Sequence, residues 1–169
     1  MINWRERLEA AKAAGVFGTI PTADIARFSG LQLMHRIIDG TYPPPSIGAA
    51  LDFVLKEAEE GRVVFIGWPS AAHLNPMGTV HGGWAATIMD SALACAVHTT
   101  CQPGEASTTV EFKVNLVRPI LPGMGELTCE GRVVHRGRTL AVSEATLRGP
   151  DGKTLAFGTE TCNIIQMPA

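Results

Sequence analysis

Charge is scarce where this chain is most apolar. From His81 to Gly104, HGGWAATIMDSALACAVHTTCQPG, the only Asp, Glu, Lys or Arg is Asp90. Other absences narrow the problem further. Cys95, Cys101, Cys129 and Cys162 lie far apart with no C-x-x-C pair, so neither a zinc site nor a disulfide framework is indicated. Four free thiols fit a reducing cytoplasm. The start, MINWRERLEAAKAAG, has four charged residues in its first nine and no apolar signal core. The longest apolar stretch is the one that Asp90 interrupts, too short and too rich in Ala to span a membrane. A net charge of -2 gives no reason to expect nucleic acid as a partner. His35, His73, His98 and His135 have no ligand-like spacing and read as structural or surface residues, and no repeat or low-complexity segment is visible. The expectation is one soluble cytoplasmic domain of 169 residues, enough for a single good core, with no metal and no resident cofactor.

What is present has a clear order. Residues 3 to 14 read as a polar, Ala-containing surface helix ending near Gly15. Thr22 to Ile38 has helical spacing through Ile25, Phe28, Leu31, Met34 and Ile38, with Thr22 or Asp24 as its cap. Tyr42-Pro43-Pro44-Pro45 then forces an extended linker. Leu51 to Glu60 fits a helix, but Leu51, Phe53 and Leu55 also alternate. Glu60-Gly61 followed by Val63-Val64-Phe65-Ile66 favours a hairpin. Asn75-Pro76 and Gly78 mark a loop, and the Ala-rich segment from about Gly82 to His98 reads as a helix. Beyond Pro103-Gly104 the pattern turns to period two. Four strands follow, punctuated by Pro119, Pro122-Gly123, Arg136-Gly137 and Pro150-Asp151-Gly152. A hairpin, one long apolar helix and four antiparallel strands make an α+β arrangement with the sheet wrapped around that helix.

Asp90 is expensive in such a setting, because a carboxylate taken out of water costs several kcal/mol unless something compensates or uses it. The Gly82-Gly83 pair, directly after His81, opens the same helix with bare backbone N–H groups. N–H groups at a helix start can donate to a carbonyl oxygen as it gains negative charge. Glycines there let a substrate approach the backbone. A carboxylate in apolar surroundings is the more basic for it, and can attack directly or deprotonate water. Each feature alone has a plainer reading: Asp90 on a solvated stripe with Thr87, Ser91 and His98, His81 as a helix cap, Asn75-Pro76 as a turn, Trp84 as packing.

The combination is more specific. Asn75-Pro76-Met77-Gly78-Thr79-Val80-His81-Gly82-Gly83, followed by Asp90, resembles the N-P-x-G-x-x-H-G-G…D signature of PaaI-type hotdog acyl-CoA thioesterases. The resemblance runs from about Leu51 to Ile165, and includes the strand Thr109 to Pro119 and the D-G-K turn at Asp151. The first 45 residues match nothing in that family. It implies a hotdog fold over 46–169 with 1–45 as an N-terminal helical extension, and hydrolysis of an acyl- or aryl-CoA to free acid and coenzyme A. It also implies roles. Asp90 is the general base or nucleophile, the Gly82 N–H polarises the thioester carbonyl, and His81 and Asn75 flank and orient thioester or water. Thr109 falls where some relatives carry a Ser that positions the water. Gly83 lies beside the substrate. Arg118, Arg136 and Arg138, the last two flanking Gly137, are either ordinary turn and edge charges or contacts for coenzyme A phosphates.

Spacing adds a constraint of its own. Gly82 and Asp90 are eight residues apart, so on one helix they lie roughly 12 Å apart along the axis. A reacting carbon has to be about 3 Å from both nucleophile and oxyanion donors. Two antiparallel helices from two subunits meet that requirement, which implies a homodimer with two equivalent sites; pairing of dimers into a homotetramer is a further expectation. Two other functions stay open at this point. A hotdog enoyl-CoA hydratase typically pairs the Asp with a His five residues on, where this chain has Cys95. A non-catalytic acyl-CoA-binding module would keep the pocket and lose the acid, which is present here.

Overall fold

Alternating apolar residues and turn glycines build the sheet, and Ala lets one helix sit close upon it. The computed structural model describes residues 3–167; Met1, Ile2, Pro168 and Ala169, the outer ends of the two expected segments, lie outside the described residues. Helix α1 spans Trp4–Ala14, α2 Thr22–Arg27, α3 Gly30–Asp39 and α4 Ser46–Leu51. The hairpin β1 (Phe53–Glu59) and β2 (Arg62–Gly67) follows, then the long helix α5 (Gly82–His98). Strands β3 (Glu105–Leu116), β4 (Leu127–Arg136), β5 (Leu140–Arg148) and β6 (Thr154–Gln166) complete the chain. All six strands form one antiparallel sheet in the order β1-β2-β4-β5-β6-β3. This is the α+β hotdog arrangement, with α5 packed on one face of the sheet and touching β2 to β6.

The core lies between that helix and the sheet. Ala85, Ile88, Met89, Ala92, Leu93 and Ala96 of α5 are fully buried against Phe65, Leu127, Cys129 and Leu147. Small side chains set the separation. A Cβ on Gly131 of β4 would stand 2.2 Å from the Ala92 carbonyl oxygen, so only glycine lets backbone meet backbone there. Burying such a run of apolar side chains, at roughly 25 cal/mol per Å², is what holds the helix in place.

Three expectations need correction. The periodic segment from Thr22 to Ile38 is two helices, because Ser29 leaves the helical path to cap α3. Its hydroxyl accepts the Gln32 N–H while the Gln32 side chain accepts the Ser29 N–H, a complete capping box. Neither Thr22 nor Asp24 caps α2; Pro21 takes that position with no side-chain bond, and Asp24 accepts the Tyr42 hydroxyl at 2.7 Å instead. The hairpin holds from Phe53 to Gly67, but Leu51 closes the short helix α4 and lies outside the strand. The hairpin's ambiguity has a cause in the β-bulge between Leu55 and Glu57, which breaks the alternation and brings Ala58 back to the buried side. The N-terminal helices lie against the hairpin: Leu8 of α1 is buried with Ile66 and Trp68, and Leu33 and Met34 of α3 join the main core.

Candidate active site

The loop before α5 is organised by Asn75. Its side-chain oxygen accepts the N–H groups of Met77 (2.9 Å) and Thr79 (3.3 Å), and its amide donates to the Thr79 hydroxyl at 2.8 Å. Gly78 turns the chain at φ +81°, and the Asn75 N–H closes the loop onto the Thr79 carbonyl. This delivers His81 to the N-cap of α5. There the His81 Nδ1 accepts the Gly83 N–H at 2.8 Å. A neutral ring bonded this way carries its proton on Nε2, which is left to donate outward. The Gly82 N–H, by contrast, has no acceptor among the described residues. Gly82 lines a groove of about 300 Å³ together with Asn75, Thr79, Leu116 and Arg118. The Asn75 motif, His81 and Gly82 are therefore brought together, with an unused helix-start donor at their centre.

Asp90 lies further along α5 and is half-buried. Burial raises its pKa above the usual carboxylate range, with no hydrogen bond or ion pair contributing. Its polar neighbours on the helix do not hold it. The Thr87 hydroxyl donates to the Gly83 carbonyl at 2.8 Å and the Ser91 hydroxyl to the Thr87 carbonyl at 3.0 Å, both turned back along the helix. The result is a carboxylate with raised basicity and free lone pairs.

Thr109, on the free edge strand β3, donates to Glu160 Oε1 at 2.8 Å. Glu160 is the residue that sequence reasoning missed. It is fully buried on β6, and burial, with ionised Asp90 and Glu111 adding to it, pushes its pKa up to about 7. The signal was in the alternation: Glu160 shares its parity with the buried Ala156, Cys162 and Ile164.

The arginines separate. Arg118 reaches the groove beside Gly82 and donates to the Thr154 carbonyl. Arg136 sits past the other end of α5. It is half-buried and committed to Glu105 at 2.8 Å, to the Thr100 hydroxyl at 3.1 Å and to the Gly137 carbonyl, so within the chain its work is structural. The Gly137 N–H closes the β4–β5 turn on the Leu140 carbonyl. Arg138 is exposed and forms no side-chain bond among the described residues.

Trp84 is buried and donates to the Leu51 carbonyl at 2.7 Å, a packing role. His73 is buried, its Nδ1 accepting the Ser70 N–H. The Cys95 thiol is pushed up to about 12 by burial and cannot stand in for a hydratase His. An apolar cavity of about 100 Å³ among Trp4, Leu8, Met34, Phe53, Phe65 and Cys95 offers packing space and no chemistry. Among the described residues no three His, Cys, Asp or Glu side chains gather as metal ligands, and no helix is long and apolar enough to cross a membrane.

Comparison with known proteins agrees with this fold. The profile of the thioesterase superfamily matches residues 77–156, a span that holds the end of the loop, α5 and strands β3, β4 and β5. Acyl-coenzyme A thioesterase 13 of Mus musculus is 31% identical over 93 residues, covering 54% of this chain and 65% of that protein. A phenylacetic acid degradation-related protein of Ralstonia eutropha superposes with a TM-score of 0.70 at 28% identity, over 77% of this chain and 98% of that one. The E. coli PaaI protein gives a TM-score of 0.71 at 22% identity, over 83% of this chain and 100% of that one, a likeness of fold.

Proposed function

We propose that this chain, a PaaI-like hotdog thioester hydrolase by its likeness to the thioesterase superfamily, cleaves an acyl- or aryl-CoA to the free acid and coenzyme A, with Asp90 of one subunit acting opposite Gly82 of another. The observation that carries this reading is the pairing of two unused groups on α5: the Gly82 N–H at the groove and the unpartnered carboxylate of Asp90. The carbonyl oxygen lies on the N–H, which stabilises the charge that grows there during attack. His81 Nε2–H and the spare amide hydrogen of Asn75 flank it. Asp90 supplies the base or the nucleophile, and the thiolate leaves without a strong acid to protonate it.

The dimer follows from the same spacing. Support comes from β3, whose outer edge is free over twelve residues while Val110, Phe112 and Leu116 are exposed on it. A long apolar edge invites pairing with another copy. Acetyl-CoA is bound in a solved Streptococcus mutans protein that is 25% identical to this chain, which favours a coenzyme A ester as substrate here. The free cysteines, three of them buried, fit a cytoplasmic setting.

The test is thiol release from a panel of acyl- and aryl-CoAs, followed with a thiol-reactive dye, with hydration of crotonyl-CoA as the competing activity. Release from at least one ester, without hydration, is the expected result; hydration without release overturns the reading. The same assay locates the coenzyme. Replacing Arg118 and Arg138 by Ala should raise KM roughly tenfold or more with kcat nearly unchanged, because each removes a charge-assisted phosphate contact equally from substrate and transition state. The increase should shrink in high salt, and it should vanish for an N-acetylcysteamine thioester, which has no phosphates. An equal increase for the truncated ester would place these arginines elsewhere.

A further inference from the structure

Two buried side-chain oxygens are without a hydrogen-bond partner among the described residues, Ser143 Oγ and Glu160 Oε2. They are not scattered. Ser143 of β5 lies directly opposite Glu160 of β6 in the strand register, and both residues are fully buried. Directly opposed residues have their Cβ atoms about 5 Å apart, so the two unbonded oxygens belong to neighbouring side chains. The other oxygen, Oε1, accepts from the Thr109 hydroxyl at 2.8 Å and from the Cys162 thiol at 3.1 Å. Polar groups thus line up across three strands, with Thr109 bonded to Glu160 and Ser143 opposite it but unbonded, from the middle of the sheet to its free edge.

A carboxyl buried with no cation to pair it is costly, and apolar residues of the same shape would fill the space better. Its position suggests what it is for. The groups bearing on Glu160 are Asp90 and Cys95 from α5, Glu111 from β3, and Cys162 along its own strand. Asp90 is thus in its electrostatic neighbourhood. The Thr109 hydroxyl has one hydrogen, and Glu160 takes it. What Thr109 offers to the exposed side of β3 is therefore an acceptor.

We propose that Glu160 is a positioning residue of the Asp90 site, holding the Thr109 hydroxyl as an acceptor so that the attacking water directs one hydrogen to Thr109, the other to Asp90, and a lone pair to the thioester carbon. This rests on the hydrolase reading above. The water proton facing Asp90 passes to its carboxylate as the new C–O bond forms. The C–S bond then breaks, and Asp90 returns that proton to the leaving thiolate. Thr109 and Glu160 exchange no proton; they fix the direction of the second O–H. An ionised Glu160 can only accept, so it commits Thr109 fully. A protonated one can donate to Thr109 instead and release that control. The ionised form also makes the nearby Asp90 a stronger base. Both effects have the same sign, and activity increases as Glu160 loses its proton.

The experiment is kcat/KM against pH with an acyl-CoA for the wild type, Glu160→Gln, Thr109→Val and the double variant. Wild type should show an acid limb set by Asp90 and a second rise through about pH 7, of roughly two- to tenfold, the range that one hydrogen bond controls. Glu160→Gln should lose the second rise and keep the acid limb, which belongs to Asp90. Thr109→Val should flatten the second rise too, and the double variant should be no slower than Thr109→Val alone. A folded Glu160→Gln protein that keeps the second rise, or losses that multiply in the double variant, overturns the proposal. If Glu160→Gln does not fold, Thr109→Val decides: retention of the full rise overturns the proposal, and its loss supports it. A wild type that releases no thiol from any acyl-CoA defeats the functional reading and this inference together. Hydrolysis with an unchanged profile in the variants defeats this inference alone.

Discussion

Replacing Asp90 with Asn is expected to lower kcat by about two orders of magnitude or more, the scale of losing a required base or nucleophile. The substitution keeps the shape of the side chain and removes its charge and basicity. Little else should change, because among the described residues no hydrogen bond or ion pair depends on that carboxylate and burial alone perturbs it. The melting temperature should hold or rise slightly, since a half-buried, unpaired charge is gone. Wild-type activity should fall as pH drops through the pKa of Asp90, which lies above that of an ordinary aspartate, because only the ionised form can act. An Asn variant with near wild-type kcat, checked by thiol release under saturating substrate, would contradict the role given to Asp90.

Gly82→Pro should cost as much, by a different route. Proline removes one atom of interest, the N–H hydrogen, and the local structure is suited to it. Gly82 is the first helical residue, the position where proline is most readily accepted. His81 before it has φ -59° and ψ 136°, the extended conformation that a residue preceding proline adopts. A new Cβ would meet only the Cδ1 of Leu116, at 2.8 Å, the tip of an exposed side chain that can swing away. The fold should therefore persist while kcat falls by roughly two to three orders of magnitude, the loss found when one oxyanion donor is deleted. Gly82→Ala adds the same Cβ and retains the N–H, so it should lose far less. Equal losses for Ala and Pro would mean that crowding, not the missing donor, is responsible.

The helix that carries these two groups is legible in the sequence alone. A charge-free run rich in Ala, opened by His81-Gly82-Gly83 and closed before Pro103-Gly104, has bounds that follow from its own residues. The hairpin was legible for a similar local reason, with Gly61 taking φ +75° at its turn. What escaped depends on distant partners. The break between α2 and α3 preserves helical spacing, so the Ser29–Gln32 capping box that marks it is easily passed over; packing reinforces it, since a Cβ on Gly30 would stand 1.7 Å from the His98 carbonyl where α3 meets the end of α5. Arg136 reads like any turn arginine until Glu105 is seen beside it. Glu160 could have been singled out by its parity on β6. Nothing in the linear sequence pairs it with Thr109, because fifty-one residues separate them.

The central claim is that each site takes its base from one subunit and its oxyanion donor from another. Co-expressing Asp90→Asn and Gly82→Pro chains under different tags and purifying the doubly tagged protein tests it most directly. If the sites are shared across the dimer, one site of the mixed species combines both substitutions and the other carries neither. Thiol release per mixed dimer should then approach half that of the wild type, although each parent is nearly inactive. Mixed dimers as inactive as the two parents would contradict the claim and return Asp90 and Gly82 to separate duties within one chain.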